Sequence, residues 1–183
     1  MPGKFRRIGI QVPPTESESD AHDVVRDVLQ SGAERVGAKF TEPDDDWDPI
    51  WMIVTKTQGT LLMPGSDVDK YEMTDAVATL ARRWGAIGLG HLHSSWIVTD
   101  PESVAIATER NGSTVGLPRD EVLLLATYTA GNARHYTASI TRHEDGPPTL
   151  GPFELMFDAT ENEIVKLAGA MVDPLMKALE RVG

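Results

Sequence analysis

Apolar positions along this chain follow two rhythms, and the switches between them mark its elements. Ala21, Val24, Val25, Val28 and Leu29 fall on one stripe at helical spacing, which predicts a first helix within "TESESDAHDVVRDVLQSGAERVG". Thr15 followed three residues later by Glu18 has the form of a capping box, and Gly37 marks the stop. "IWMIVTKTQGTLLMP" reads as two strands joined near Gln58-Gly59. Ile50, Met52 and Val54 share one face of the first strand, Trp51 and Ile53 the other, so both faces are expected to be covered. A second helix follows, with Ser66 as its cap and Asp69 at the third position. Its buried stripe is Met73, Val77, Leu80, Ala81 and Trp84, and Gly85 ends it.

Residues 86–99 alternate as a strand, and a short strand is expected at Val104–Ala107, before a turn at Asn111-Gly112. "EVLLLATYT", "ARHYTASITRH" and "GPFELMF" read as three more strands, connected by Ala130-Gly131-Asn132 and by "EDGPPTLG". Thr160 with Glu163 opens a last helix whose apolar face runs from Ile164 through Leu167, Met171 and Leu175 to Val182, kinked ahead of Pro174. This order predicts an α+β fold: a mostly antiparallel β-sheet with about three amphipathic helices covering one face. Residues 1–14 read as an extended arm and 15–183 as a single domain.

Charge narrows the partners. The 183 residues carry 28 Asp and Glu against 17 Lys and Arg, a net charge of -11. Phosphate-backbone binding needs clustered cations, so nucleic acid is not expected as a partner. With no cysteine, disulfides, iron–sulfur clusters and thiol nucleophiles are excluded, and a zinc site would have to be built from His, Asp and Glu. No apolar run has the length of a membrane span, and the N-terminus lacks the apolar core of a secretion signal. The expected location is the cytoplasm, or the virion or host cytoplasm for a chain of phage origin.

"GAIGLGHLHSSWIVTD" holds the most suggestive chemistry. On one strand, Ile87, Leu89, His91, His93, Ser95 and Ile97 share a face. Two imidazoles two residues apart can form half of a site for zinc or another divalent transition metal. His135 and His143 lie on the polar face of a later strand and are candidate further ligands, as are Asp100 and Glu121. The competing expectation is that all these imidazoles line the water-facing side of the sheet.

Two resemblances bear on this. "GHLHSSWIVTDPES" resembles the JAMM (MPN) metalloprotease motif in the pair His91 and His93, which implies a metal-dependent hydrolase. The chain departs from that motif at Ser94, where a proline follows the pair, and in the spacing of Asp100 and Ser103. "PRDEVLLLATYTAGNARHYTASITRHEDGPPTLGP" is similar in layout to a group of small uncharacterised proteins from bacteria and their phages, which implies no activity.

Other catalytic patterns are missing. There is no Gly-x-Ser-x-Gly elbow beside Ser94-Ser95, and no Walker A sequence. Gly88-Leu89-Gly90 precedes more strand rather than a helix N-terminus that could hold a phosphate. The sequence therefore favours a non-catalytic interaction, accessory or structural protein that needs no cofactor and binds a protein partner, either another protein or a second copy of itself. The metal-dependent hydrolase is the alternative. The acidic loop "TEPDDDWDP", with Trp47 as an exposed anchor among Asp44, Asp45 and Asp46, is the expected contact surface.

Overall fold

The computed structural model describes residues 18–56, 59–65, 68–110, 115–160 and 172–180. Helix α1 spans Glu18–Gly37 and is followed by the hairpin β1 (Ile50–Thr55) and β2 (Thr60–Pro64). Helix α2 (Lys70–Trp84) leads into β3 (Ala86–Ile97), and α3 (Pro101–Glu109) connects it to β4 (Asp120–Thr129). Strands β5 (Asn132–His143), β6 (Gly146–Leu150) and β7 (Glu154–Thr160) follow, and α4 covers Val172–Leu179. The expected arm at 1–14, the caps at Thr15 and Ser66, the Asn111-Gly112 turn and the helical stretch before Pro174 lie outside the described residues.

The fold is α+β, and its strands pair antiparallel in the order β2-β1-β3-β4-β5. The long β5 then carries two neighbours in succession, β7 along Asn132–Thr137 and β6 along Ile140–His143. Strand β6 occupies part of the segment expected to be a connection. The expected short strand at Val104–Ala107 is instead the middle of α3. Asp100 accepts a hydrogen bond from the Ser103 N–H at 2.8 Å, and Pro101 at the first helical position presets the backbone angle.

Helices cover both faces of the sheet rather than one. Helix α1 lays Ala21, Val25, Leu29 and Ala33 on Met52, Val54, Leu92, Leu123 and Leu125. Helices α2 and α4 pack Met73, Val77, Ala81, Leu175 and Leu179 on Trp51, Ile53, Leu89, Ala126 and Tyr128. Both halves follow from β1 and β4 being apolar on alternate residues of both sides.

The glycines of β3 explain how close α1 comes. A Cβ on Gly88 would stand 2.7 Å from the Ala21 Cβ, and one on Gly90 would overlap Val25. Gly88 and Gly90 thus form a smooth track that lets a helix lie flat on a strand. Helix α2 ends as its sequence dictates: Gly85 adopts φ 61°, and its N–H bonds back to the Ala81 and Arg82 carbonyls. At the other end Asp69 is the cap, accepting from the Tyr71 and Glu72 N–H groups.

Candidate functional site

Register fixes which imidazoles meet. Trp51 pairs with His91, His91 with Ala126, Ala126 with His135 and His135 with Phe157, so one rung crosses five strands. His93 stands two residues along on the same face, opposite Leu124. Ile87 leaves this face, because the register shift opposite Val54 and Thr55 turns it toward the α1 side.

The rung lies beneath α2 and α4, not in water. His91 is only 2% exposed. Its ring stacks on His93 with centroids 5.1 Å apart and on Tyr128 at 5.7 Å. The small Ala126 between His91 and His135 leaves room for Tyr128, whose ring meets His135 edge-on at 5.9 Å. His135 in turn sits 4.2 Å from Phe157. The expected water-facing row is therefore corrected for His91: the helices of this face dehydrate it.

Dehydration sets the protonation states. Burial, reinforced by His93 and His135, holds the His91 pKa well below the usual histidine range. Burial and His93 lower His135 to about 4. Burial also pushes the Tyr128 hydroxyl up, so it stays protonated. At neutral pH His91, His135 and Tyr128 are therefore neutral, with Tyr128 Oη and His91 Nδ1 3.5 Å apart. Among the described residues, Trp51 Nε1 and His135 Nε2 are buried without a hydrogen-bond partner.

Neutral imidazoles are competent metal ligands, but these rings stack rather than converge. Among the described residues no group of three or more His, Asp or Glu is placed to hold a metal ion. The register places His135 on the face of His91 and His93, whereas the other candidates are elsewhere. His143 ends β5, exposed, with Nε2 3.1 Å from Thr149 Oγ1. Asp100 caps α3, and its bonds with Ser103 lower its pKa. Glu121 receives a two-pronged bond from Arg142, at 2.6 and 3.0 Å.

In the acidic loop the expected exposed anchor is buried. Trp47 is 3% exposed, with its Nε1 donating to the Ala33 carbonyl at 2.9 Å and its ring edge-on to Phe40 at 4.7 Å. Asp45 accepts from the Thr41 and Glu42 N–H groups, which lowers its pKa, and Asp46 accepts from Ser94 Oγ. Arg142 closes the loop onto the sheet through the Asp45 carbonyl and an ion pair to Asp46. Asp44 is an exposed acid there without such a tie, as are Glu42 and Asp48.

A different tryptophan is exposed. Trp96, near the end of β3, keeps 49% of its surface in water, and the Arg119 guanidinium lies 4.6 Å from its ring centroid. Val104 on α3 and Val115 before β4 are exposed in the adjoining segments, and Leu155 and Met156 are exposed on β7. The sequence signal was present: Trp96 falls on the opposite parity from His91 and precedes a helix-capping Asp-Pro. Compared with protein-family models, curated proteins and solved structures, the chain matches none. Among the described residues no helix is long and apolar enough to cross a membrane.

Proposed function

We propose that the chain is a non-catalytic protein-binding module whose contact surface is the end of the sheet where β3 stops and β4 begins. One observation carries this reading: a half-exposed tryptophan, Trp96, with an arginine stacked on its face. Tryptophan and arginine are the residue types most enriched among the few contacts that dominate binding energy. A cation already held over the ring reduces the side-chain freedom lost when a partner covers both. The acidic balance of the chain favours a partner with a basic surface. A chain without cysteine keeps this surface unchanged in a reducing cytoplasm, where we place it.

The test compares immobilised wild type with Trp96→Ala and Arg119→Ala in capture from the native host, alongside sedimentation of each protein. The expected result is a partner retained by the wild type and lost from Trp96→Ala, with equal urea midpoints for the two proteins. If the partner is a second copy, the wild type sediments as a dimer and Trp96→Ala as a monomer. Identical captured sets and identical sedimentation would overturn the reading.

A further inference from the structure

The sheet face roofed by α2 and α4 continues past those helices. Beyond the rung of His93, Leu124, Thr137 and Glu154 comes one of Ser95, Val122 and Ser139, and then Ile97 paired with Asp120. Here the strands form an open cleft of about 410 Å³, within the size range of ligand sites. Ile97 and Val122 give it apolar walls, Thr137 and Ser139 supply hydroxyls, and Asp120 and Glu154 supply carboxylates. No lysine, arginine or histidine lines it among the described residues.

The two carboxylates are the uncompensated charges of this cleft. Glu121, which also borders it, is neutralised by Arg142. Asp120 accepts only the Thr99 hydroxyl, at 3.2 Å, and Glu154 has no ion pair among the described residues. Their spacing follows from the register. Glu154 stands in the rung of Leu124, four residues along β4 from Asp120. At about 3.4 Å per residue that offset is on the order of 14 Å along the strands. Because β5 lies between their strands, the two carboxylates are also about 10 Å apart laterally, on the order of 17 Å in all. Positions i and i+4 on one face of an extended chain span about 14 Å, and long cationic side chains splayed outwards cover the remainder.

We propose that this cleft binds an extended segment of a protein partner with cationic side chains at positions i and i+4, one meeting Asp120 and the other Glu154. The hydroxyls of Thr137 and Ser139 donate to the backbone carbonyls between those cations, and Ile97 and Val122 receive the small apolar residue at i+2. A free polyamine could match the charges, but it has no carbonyls for the hydroxyls and no side chain for the apolar walls. The inference rests on the binding-module reading and names the chemistry of the partner.

The probe is the blocked peptide Gly-Lys-Thr-Val-Thr-Lys-Gly, followed by amide chemical shifts of the full-length protein. The expected result is saturable shifts centred on Thr137, Ser139 and Val122. Binding weakens by about tenfold in Asp120→Asn/Glu154→Gln, a loss of about 1.4 kcal/mol. It also weakens as salt rises and when the two lysines are moved to i and i+3, on opposite faces. Equal binding of spermidine, equal binding of the i, i+3 peptide, or shifts elsewhere on the protein would each overturn the proposal. A control variant outside the cleft, His143→Ala, should bind the peptide as the wild type does. Failure of the cleft is read by this titration, and failure of the Trp96 surface by its own capture experiment.

Discussion

Gly90 and Val25 are locked by the absence of a single atom. A Cβ on Gly90 would overlap Val25 Cγ1 and stand 3.1 Å from the Ala126 carbonyl oxygen, with strand on one side and helix on the other. Neither neighbour can retreat without lifting α1 from the sheet. Gly90→Ala is therefore expected to lower stability by about 1–3 kcal/mol through overpacking. The urea midpoint measures it, and an unchanged midpoint would show that α1 is not seated on β3.

His22 predicts how the protein responds to acid. Its ring pairs with the Thr127 and Thr129 hydroxyls at 2.7 and 2.9 Å, beneath α1. Burial first, then the nearby Arg134, lowers its pKa from 6.5 to about 4. Above pH 6.5 the ring is neutral in both folded and unfolded chains, and stability is complete. Between 6.5 and 4 the unfolded chain takes up a proton that the folded one refuses, so stability falls with pH. The limiting loss is about 3 kcal/mol for this group. Urea titrations at a series of pH values should show this slope, reduced in His22→Gln.

His135 gives the complementary case. It buries an unpaired Nε2 against Phe157, and its pKa of about 4 adds to the same acid sensitivity. Replacing the ring with a hydrocarbon of similar shape removes both penalties. His135→Phe is expected to leave stability at pH 7 unchanged or raised by up to about 1 kcal/mol. Its stability curve should also be flatter between pH 6.5 and 4, as calorimetry at several pH values would reveal.

Arg142 joins three distant segments: Glu121 on β4, its own β5, and the loop through Asp45 and Asp46. Its side chain is one-third exposed, so part of the charge interaction is screened. Arg142→Ala is expected to cost about 1–2 kcal/mol. Amide exchange should rise selectively across residues 41–48. A uniform rise over the whole sheet would mean that the arginine supports the core instead.

Exposure can be read optically. Trp47 and Trp51 are enclosed, whereas Trp96 is half in water. Trp96→Phe should remove most of the emission that acrylamide quenches, with little change in the urea midpoint. Retention of that component would place the exposed indole elsewhere.

Periodicity revealed those parts of the fold that depend on local chemistry. The two-sided apolar pattern of β1 and the stop at Gly85 needed only alternation and backbone freedom to be seen. Helix α3 was missed because Val104, Ala105 and Ile106 look like strand, while the decisive signal was the Asp100-Pro101 pair before them. Parity put His91 with His93, but whether His135 shared their face depended on the register between strands, and their dryness was not legible either. That depends on α2 and α4 reaching the same face from far away in sequence. Trp47 misled for the same reason, since an acidic stretch conceals the carbonyl of Ala33 that holds the indole.

The sheet is roofed unequally: α1 and the loop pinned by Arg142 shelter one side, while α2 and α4 stop short on the other. This gives the molecule a head and a foot. Trp96 and the cleft beside Ile97 have opposite parity on β3, so they open to opposite sides of the sheet and a molecule held on one side leaves the other free.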